Sequence, residues 1–493
     1  MTVPYKWRAL SVTSLGSLLS VLDGSIFIIA LPSIMRDLNA SFIIITWVIM
    51  GYLFVVTILT PTFGRIADMI GRKKMYLWGF VLFTLASLFC ATSQTGQELL
   101  VFRMIQAVGG SMIIANGIAI ITDAFPKQEL GTAMGISTTI FGVGAAIGPV
   151  LGGFLLFFGW RIIFFVNIPT GVLGTIWGYF QLKEVVKMPA KQKFDAKGMV
   201  AFAVGMVGIL IVLSFGGSIG WNSPVILTLL VVGVTFILIF IRIEAKAKFP
   251  MMDLELFRSS RLAYGYLSAL FNAIARGAVT FLLTFYLQVI LDLDPIHAAI
   301  YLTPFAIAQS VGSPISGRLS DRHGSQRIAA FGLLLSNIGV FGMIFIAQDT
   351  PPLLLVLWMS IMGFGSGLFF SPNAKIIMQE VPPYKRGIAT SVRSMMFNVG
   401  TVVSMGLALA ILSSDMSTTM MQNLFLGIAS GTSGIAVPDF INGLRLIFLI
   451  SFIVSLMAAY MSARKGKAPV WKPIETIEPE MEMPGVQAEE FGI

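Results

Sequence analysis

Four ionisable side chains, Asp23, Arg103, Arg276 and Arg393, stand inside long apolar runs of this chain. A charge near the centre of a bilayer is unfavourable by at least about 2.5 to 3.5 kcal/mol, so a residue kept there marks function by default. A buried carboxylate can take up and release a proton, and desolvation and a neighbouring guanidinium govern which form it holds. Asp23 lies eight residues before the end of its run at Leu31, and Arg103 five residues after Glu98 opens another. At the helical rise these are depths of about 12 Å and about 8 Å from one face. The pair is expected to meet, with Asp23 as the proton-binding group for which substrate and proton compete. A static ion pair that only joins two helices is the alternative.

The four charges sum to +2, which suits a neutral, zwitterionic or weakly anionic amphiphile better than a dication. Arg276 and Arg393 are candidates for the substrate cavity, as are Asn116, Asn272, Gln288, Gln309, Asn373 and Asn398; each amide could equally satisfy a nearby backbone group. Cys90 is the single cysteine, which excludes an intramolecular disulfide and a multi-cysteine metal site. His297 and His323 are the only histidines and fall in loops, so little imidazole chemistry is available. No metal or cofactor is expected. Gly431-Thr432-Ser433-Gly434 matches the Gly-x-Ser-Gly of an intramembrane serine protease, yet it lies in a loop with no histidine to complete a dyad, so the chain does not read as an enzyme.

The elements that must position these residues are helices of membrane length. Hydrophobic residues make up 56% of the chain and charged residues 12%, with a mean hydropathy of +0.86. A soluble domain carries about a quarter charged residues. Runs of about 20 apolar residues give fourteen spans: 9–31, 42–63, 75–92, 98–121, 131–158, 162–182, 198–216, 223–241, 262–291, 296–317, 328–347, 352–374, 387–412 and 443–462. The first is too long for a signal peptide and lacks a cleavage site. Of the 33 Lys and Arg residues, 27 fall on alternate loops, against Arg36, Arg161 and Arg445 on the others. The inside-positive rule therefore puts both termini in the cytoplasm, and the net charge of +9 reflects topology, not nucleic-acid binding.

A charged turn recurs. Gly64-Arg65-Ile66-Ala67-Asp68-Met69-Ile70-Gly71-Arg72 returns as Gly317-Arg318-Leu319-Ser320-Asp321-Arg322-His323-Gly324-Ser325, 253 residues later. Gly131, Phe141 and Gly144 return as Gly387, Phe397 and Gly400, 256 residues later. A repeated half of this kind is the mark of a two-bundle transporter. The expected organisation is a six-helix bundle over 1–183, an inserted two-helix linker over 184–258, a second six-helix bundle over 259–465 and a disordered acidic cytoplasmic tail over 466–493. The fold class is thus an all-α membrane protein of two pseudo-symmetric bundles plus an inserted pair.

These turns resemble the loop signature of the major facilitator superfamily, and the fourteen-span layout is similar to its drug:proton antiporter branch, the EmrB/QacA-like exporters. Further resemblance is carried by Leu22-Asp23-Gly24-Ser25, Phe102-Arg103-Met104-Ile105-Gln106, the glycine ladder Gly142, Gly144, Gly148, Pro149, Gly152 and Gly153, Asn167-Ile168-Pro169-Thr170-Gly171, and Tyr286-Leu287-Gln288. It covers residues 5 to 465. Ser25 and Ile28, where family members often carry Thr and Asn, and Ser325 and Gln326, in place of basic residues, are departures.

The resemblance implies a proton-coupled exporter of small lipophilic compounds, working as a monomer in the cell membrane, with the substrate, protons and lipid as its only partners. It also implies that Gly64, Arg65, Asp68, Gly71 and Arg72, with Gly317, Arg318, Asp321 and Gly324, form gating loops. Asp68 would latch onto the helix starting near Gly387, and Asp321 onto that starting near Gly131, where unpaired N–H groups attract an anion. The ladder is implied to mark antiport and to lie between the bundles; a dinucleotide loop is excluded, because no strand precedes it. A facilitator, importer or lipid flippase of the same fold is the competing reading.

Overall fold

The computed structural model describes residues 4–126, 129–184, 195–247, 250, 252, 254–381, 386–415 and 433–464. The tail, the Gly431-Thr432 stretch and parts of the linker lie outside them. The helices are α1 (Tyr5–Asp37), α2 (Phe42–Ile70), α3 (Arg72–Thr92), α4 (Gly96–Ala124), α5 (Leu130–Leu155), α6 (Ile162–Phe165) and α7 (Asn167–Gln181) in the first half. An added pair follows, α8 (Ala196–Ile219) and α9 (Pro224–Lys246). The second half holds the short α10 (Glu255–Arg258), then α11 (Ser260–Arg276), α12 (Val279–Phe285), α13 (Pro295–His323), α14 (Ser325–Met343), α15 (Pro352–Glu380), α16 (Arg386–Asp415) and α17 (Ser433–Ala463).

Among the described residues, thirteen helical spans are long and apolar enough to cross a membrane. α13 is not among them: it is as long, but its 29 residues include Gln309, Ser310, Ser313, Ser316 and Ser320 and are correspondingly less apolar. The face at which α1 begins is called here the terminal face, and the opposite one the distal face. Helix starts are fixed locally. Ser41, Thr95, Asp195, Ser259 and Asp294 each accept a backbone N–H from the first turn that follows, which satisfies a donor the helix cannot. At the terminal face Gly71 and Gly324 end α2 and α13 with positive φ, a conformation that side chains other than glycine rarely adopt.

The sequence reads the ninth span as continuous, but the structure breaks it. After Arg276, Gly277 approaches Thr401 of α16 so closely that a Cβ would lie 2.6 Å from its Cα. The chain then resumes as α12 and a π-helical turn over Tyr286–Ile290. The N–H of Ala278 donates to Ser404 Oγ of α16 at 3.0 Å, so the break leaves that donor satisfied inside the membrane. Both histidines are on α13, at its first and last turns, and not in loops.

The two halves meet along two seams. In one, α2 packs on α16; in the other, α5 packs on α13. The second span of each half thus pairs with the fifth of the other, the arrangement a pseudo-two-fold requires. The added pair docks beside the first seam, where α8 touches both α16 and α2 and Phe215 stacks on Trp47 at 6.0 Å. Most of α9 turns Val225, Leu227, Val231 and Leu238 outward, as a lipid-facing helix must.

Candidate functional site

Asp23 is 4% exposed and Arg103 2%. Arg103 Nη1 donates to Asp23 Oδ2 at 2.6 Å, so the depths counted along two helices do bring this pair together. Two further donors reach the other oxygen. Gln106 Nε2 of α4 lies 3.0 Å from Asp23 Oδ1, and Asn167 Nδ2 of α7 2.7 Å. Gln106 also donates to Ser87 Oγ of α3 and accepts from Arg103 Nη1. The guanidinium is enclosed by aromatic faces, its Cζ lying 4.1 Å from the ring centre of Phe27, 4.7 Å from Tyr52 and 5.6 Å from Phe164. Ring faces attract cations, so the positive charge is stabilised on that side as well. Two other spans, α4 and α7, thus converge on the carboxylate carried by α1, with α3 one hydrogen bond behind through Ser87.

Sequence reasoning singled out Asp23 and Arg103 and left Gln106, Asn167 and Ser87 unassigned. Uncharged amides inside helices carry no signal of their own. The signal that was available is the position of Gln106, three residues after Arg103 on the same helix face.

The second half holds the opposite arrangement. At the 253-residue spacing of the repeat, Asp23 corresponds to Arg276, and at the 256-residue spacing Arg103 corresponds to Met359. Arg276 Nη2 donates to Ser336 Oγ of α14, and Ser336 Oγ donates to the Met362 carbonyl at 2.9 Å. Arg276 Nε and Nη1 have no partner among the described residues, and neither does either amide atom of Asn272, one turn earlier on α11.

The other cavity candidates scatter. Asn373 donates to the Gly265 carbonyl and to Ser268 Oγ and accepts from Arg393 Nε at 3.2 Å, so Asn373 and Arg393 tie α11, α15 and α16 together within the second bundle. Asn116 donates to the Met112 carbonyl of its own helix, the local alternative its residue type always has. Gln288, Gln309 and Asn398 are half-buried on three separate elements.

The glycine ladder is split. A Cβ on Gly142 would lie 2.1 Å from Ser310 Oγ, and one on Gly153 3.0 Å from Ile296 Cα, both on α13 across the seam. Gly144, Gly148 and Gly152 instead face Leu18, Ser25 and Ile26 of α1 within their own bundle, which corrects the expectation that the whole ladder lies between bundles. The cause is helical rotation: residues 142 and 153 are eleven apart, three turns, while 144, 148 and 152 step by four along a second face. Pro149 is buried inside α5.

Of the repeated turns, Gly64 faces Ser391 of α16, with 3.0 Å from a Cβ to Oγ, whereas Gly317 has 3.8 Å to Ser371 of its own bundle. Arg72 Nη1 binds Asp123 Oδ2 at 2.5 Å, joining α3 to the end of α4. Glu184 accepts the N–H groups of Arg72 and Lys73 at 2.8 and 3.2 Å and so caps α3, a role no sequence pattern announced. Arg65 is half-buried and Arg318 exposed. The side chains of Asp68 and Asp321 and the surroundings of Gly131 and Gly387 lie outside what is described, and the latch with them.

The family model described as Major Facilitator Superfamily matches residues 13–201, 196–405 and 265–477. The chain belongs to the major facilitator superfamily. It is similar to the riboflavin transporter RibZ of Clostridioides difficile (strain 630), 35% identical over 404 residues, covering 80% of this chain and 87% of the relative. It is also similar to multidrug resistance protein 3 of Bacillus subtilis (strain 168), 27% identical over 485 residues, with 92% and 94% covered. Among solved structures, a bacterial homolog of the human lysosomal transporter Spinster, inward-facing and unoccupied, superposes with a TM-score of 0.65 at 17% identity, covering 94% and 97%. This major facilitator is a multi-pass membrane transporter, and its two bundles are the fold of that family.

Proposed function

We propose that this major facilitator is a proton-coupled exporter of small lipophilic or amphiphilic compounds, of the fourteen-span drug:proton antiporter branch, acting in the cell membrane with both termini cytoplasmic. The observation that carries the reading is the carboxylate of Asp23, buried and met by three donors. Those donors occupy three of the four lone-pair sites of the two oxygens, and the fourth, on Oδ2, is where a proton is taken up. Once protonated, Asp23 no longer compensates the guanidinium 2.6 Å away, and a buried charge left uncompensated is strongly unfavourable. Proton uptake thereby drives Arg103 and α4 to a new partner or to water, and proton release draws them back.

Movement of that kind becomes transport when the bundles rock about the α2/α16 and α5/α13 seams. Small residues at Gly64, Gly142 and Gly153 keep those seams close-packed. The relatives named for multidrug resistance support export. The relative named a riboflavin transporter supports a second reading, facilitated passage or uptake of a solute without proton antiport.

Sealed inside-out vesicles separate the two. Under the proposal, accumulation of a lipophilic dye driven by an imposed pH gradient collapses when a protonophore is added, and the dye releases protons when added to the purified transporter. Flux indifferent to the protonophore points to the second reading.

A further inference from the structure

We infer that the second bundle carries an acid-recognition site, in which Arg276 and Asn272 bind the carboxylate, sulfonate or phenolate of an amphiphilic substrate. The inference rests on the reading that this transporter moves amphiphilic compounds, and it names their chemical class. Three observations carry it.

The first is an absent counter-ion. Arg103 in the first half has Asp23, whereas Arg276 stands at the position of Asp23 and faces a half in which the position of Arg103 is Met359. The acids of α11 to α17 are Asp321, Glu380, Asp415 and Asp439, all within the last or first two turns of their helices, with none in the interiors. A guanidinium in the membrane interior needs an anion or water, and among the described residues no carboxylate pairs with Arg276.

The second is the free donors. Nε and Nη1 of Arg276 have no partner among the described residues, and Nη2 is taken by Ser336. The free N–H groups of Nε and Nη1 lie on separate edges of the guanidinium, and each can donate to an oxygen of an acid. Ser336 accepts from Nη2, and its own proton is committed to the Met362 carbonyl.

The third is Asn272. It is 1% exposed, yet neither its amide nitrogen nor its oxygen is bonded among the described residues. Being four residues before Arg276, it lies on the same face of α11. A buried primary amide left unbonded is rare in proteins, and here it shares a helix face with the unpartnered guanidinium. Three donors aimed from one helix face select for an acceptor-rich acid over a neutral or cationic group.

The test is thermal unfolding of the purified full-length chain in a neutral detergent, with 2-naphthoate and fluorescein as probes and their uncharged amides as controls. The acids stabilise the wild type and the amides do not, equivalent to at least about tenfold tighter binding of the acid. Arg276→Met abolishes that preference and raises the ligand-free Tm, because it removes an uncompensated buried charge. Arg276→Lys retains part of the preference. Equal response to acid and amide in the wild type overturns the inference, as does an undiminished preference in Arg276→Met. An Arg276-dependent stabilisation produced by phosphatidylglycerol and not by the aryl acids also overturns it, by assigning the group to a lipid. None of these results depends on proton coupling, which is tested separately at Asp23.

Discussion

Gly71 and Gly324 hold one backbone conformation at one place in the two halves, with φ of 111° and 88° and ψ of 132° and 133°. Alanine is disfavoured there by about 1 to 3 kcal/mol through the backbone alone. At Gly71 a Cβ would also meet the Glu184 carboxylate at 2.5 Å, while at Gly324 nothing lies within 4 Å. Gly71→Ala therefore lowers the Tm more than Gly324→Ala, although both are destabilising. Equal losses would mean that the Glu184 cap moves away freely.

The Asp23–Arg103 pair gives a double-mutant prediction. Arg103→Met alone leaves a carboxylate without its ion partner and destabilises by about 3 to 5 kcal/mol. Asp23→Leu alone leaves the guanidinium likewise. The double variant loses much less than the sum, since an apolar pair of similar volume needs no counter-charge. Thermal or denaturant unfolding in detergent reads the cycle, and strict additivity contradicts the coupling.

The second seam is tested by crowding it. Gly142→Ala places a methyl group against Ser310, and Gly153→Ala one against the Ile296 backbone. Both slow flux several-fold in vesicle assays while the protein still folds. Gly135→Ala, which meets nothing within 4 Å, leaves flux unchanged and gains up to about 1 kcal/mol from helix propensity. Adding Ser310→Ala to Gly142→Ala restores part of the lost flux, because the hydroxyl is the closest clash.

Asp294 caps α13 at the distal face, accepting the N–H groups of Ile296 and His297. Its carboxyl is held below its ordinary value of 3.8, first by the His297 backbone N–H and then by the His297 ring. A depressed carboxyl stabilises the fold above pH 3.8, and that contribution disappears as pH falls through the lower, folded value. Asp294→Ala destabilises α13 by about 1 kcal/mol at neutral pH. Asp294→Asn keeps the cap and removes this acid dependence, which unfolding curves between pH 3 and pH 6 check.

Spans and repeat were legible because membrane length, the 253-residue echo of Gly64 in Gly317 and the loop charges are properties of linear order. Asp23 and Arg103 were legible for a related reason: depth in a helix is arithmetic, and few charges compete for the same depth. Gln106 and Asn167 were not, since an amide in a helix bonds its own backbone as readily as a neighbour; Asn116 does the former and Asn167 the latter. Glu184 caps a helix 112 residues earlier in the chain, a relationship only the packing of α7 on α3 creates. The break after Arg276 was hidden because Gly277 is one of many glycines in apolar runs, and only the approach of α16 selects it.

The central claim is that protonation of Asp23 couples the two bundles to the proton gradient. Its most direct measurement compares wild type and Asp23→Asn, reconstituted at equal density in liposomes with an imposed pH gradient, for dye transport and for dye-induced proton release. The account predicts that Asp23→Asn still folds and still equilibrates dye down its own gradient, but neither concentrates it nor releases protons. Undiminished accumulation with proton release in Asp23→Asn would contradict it.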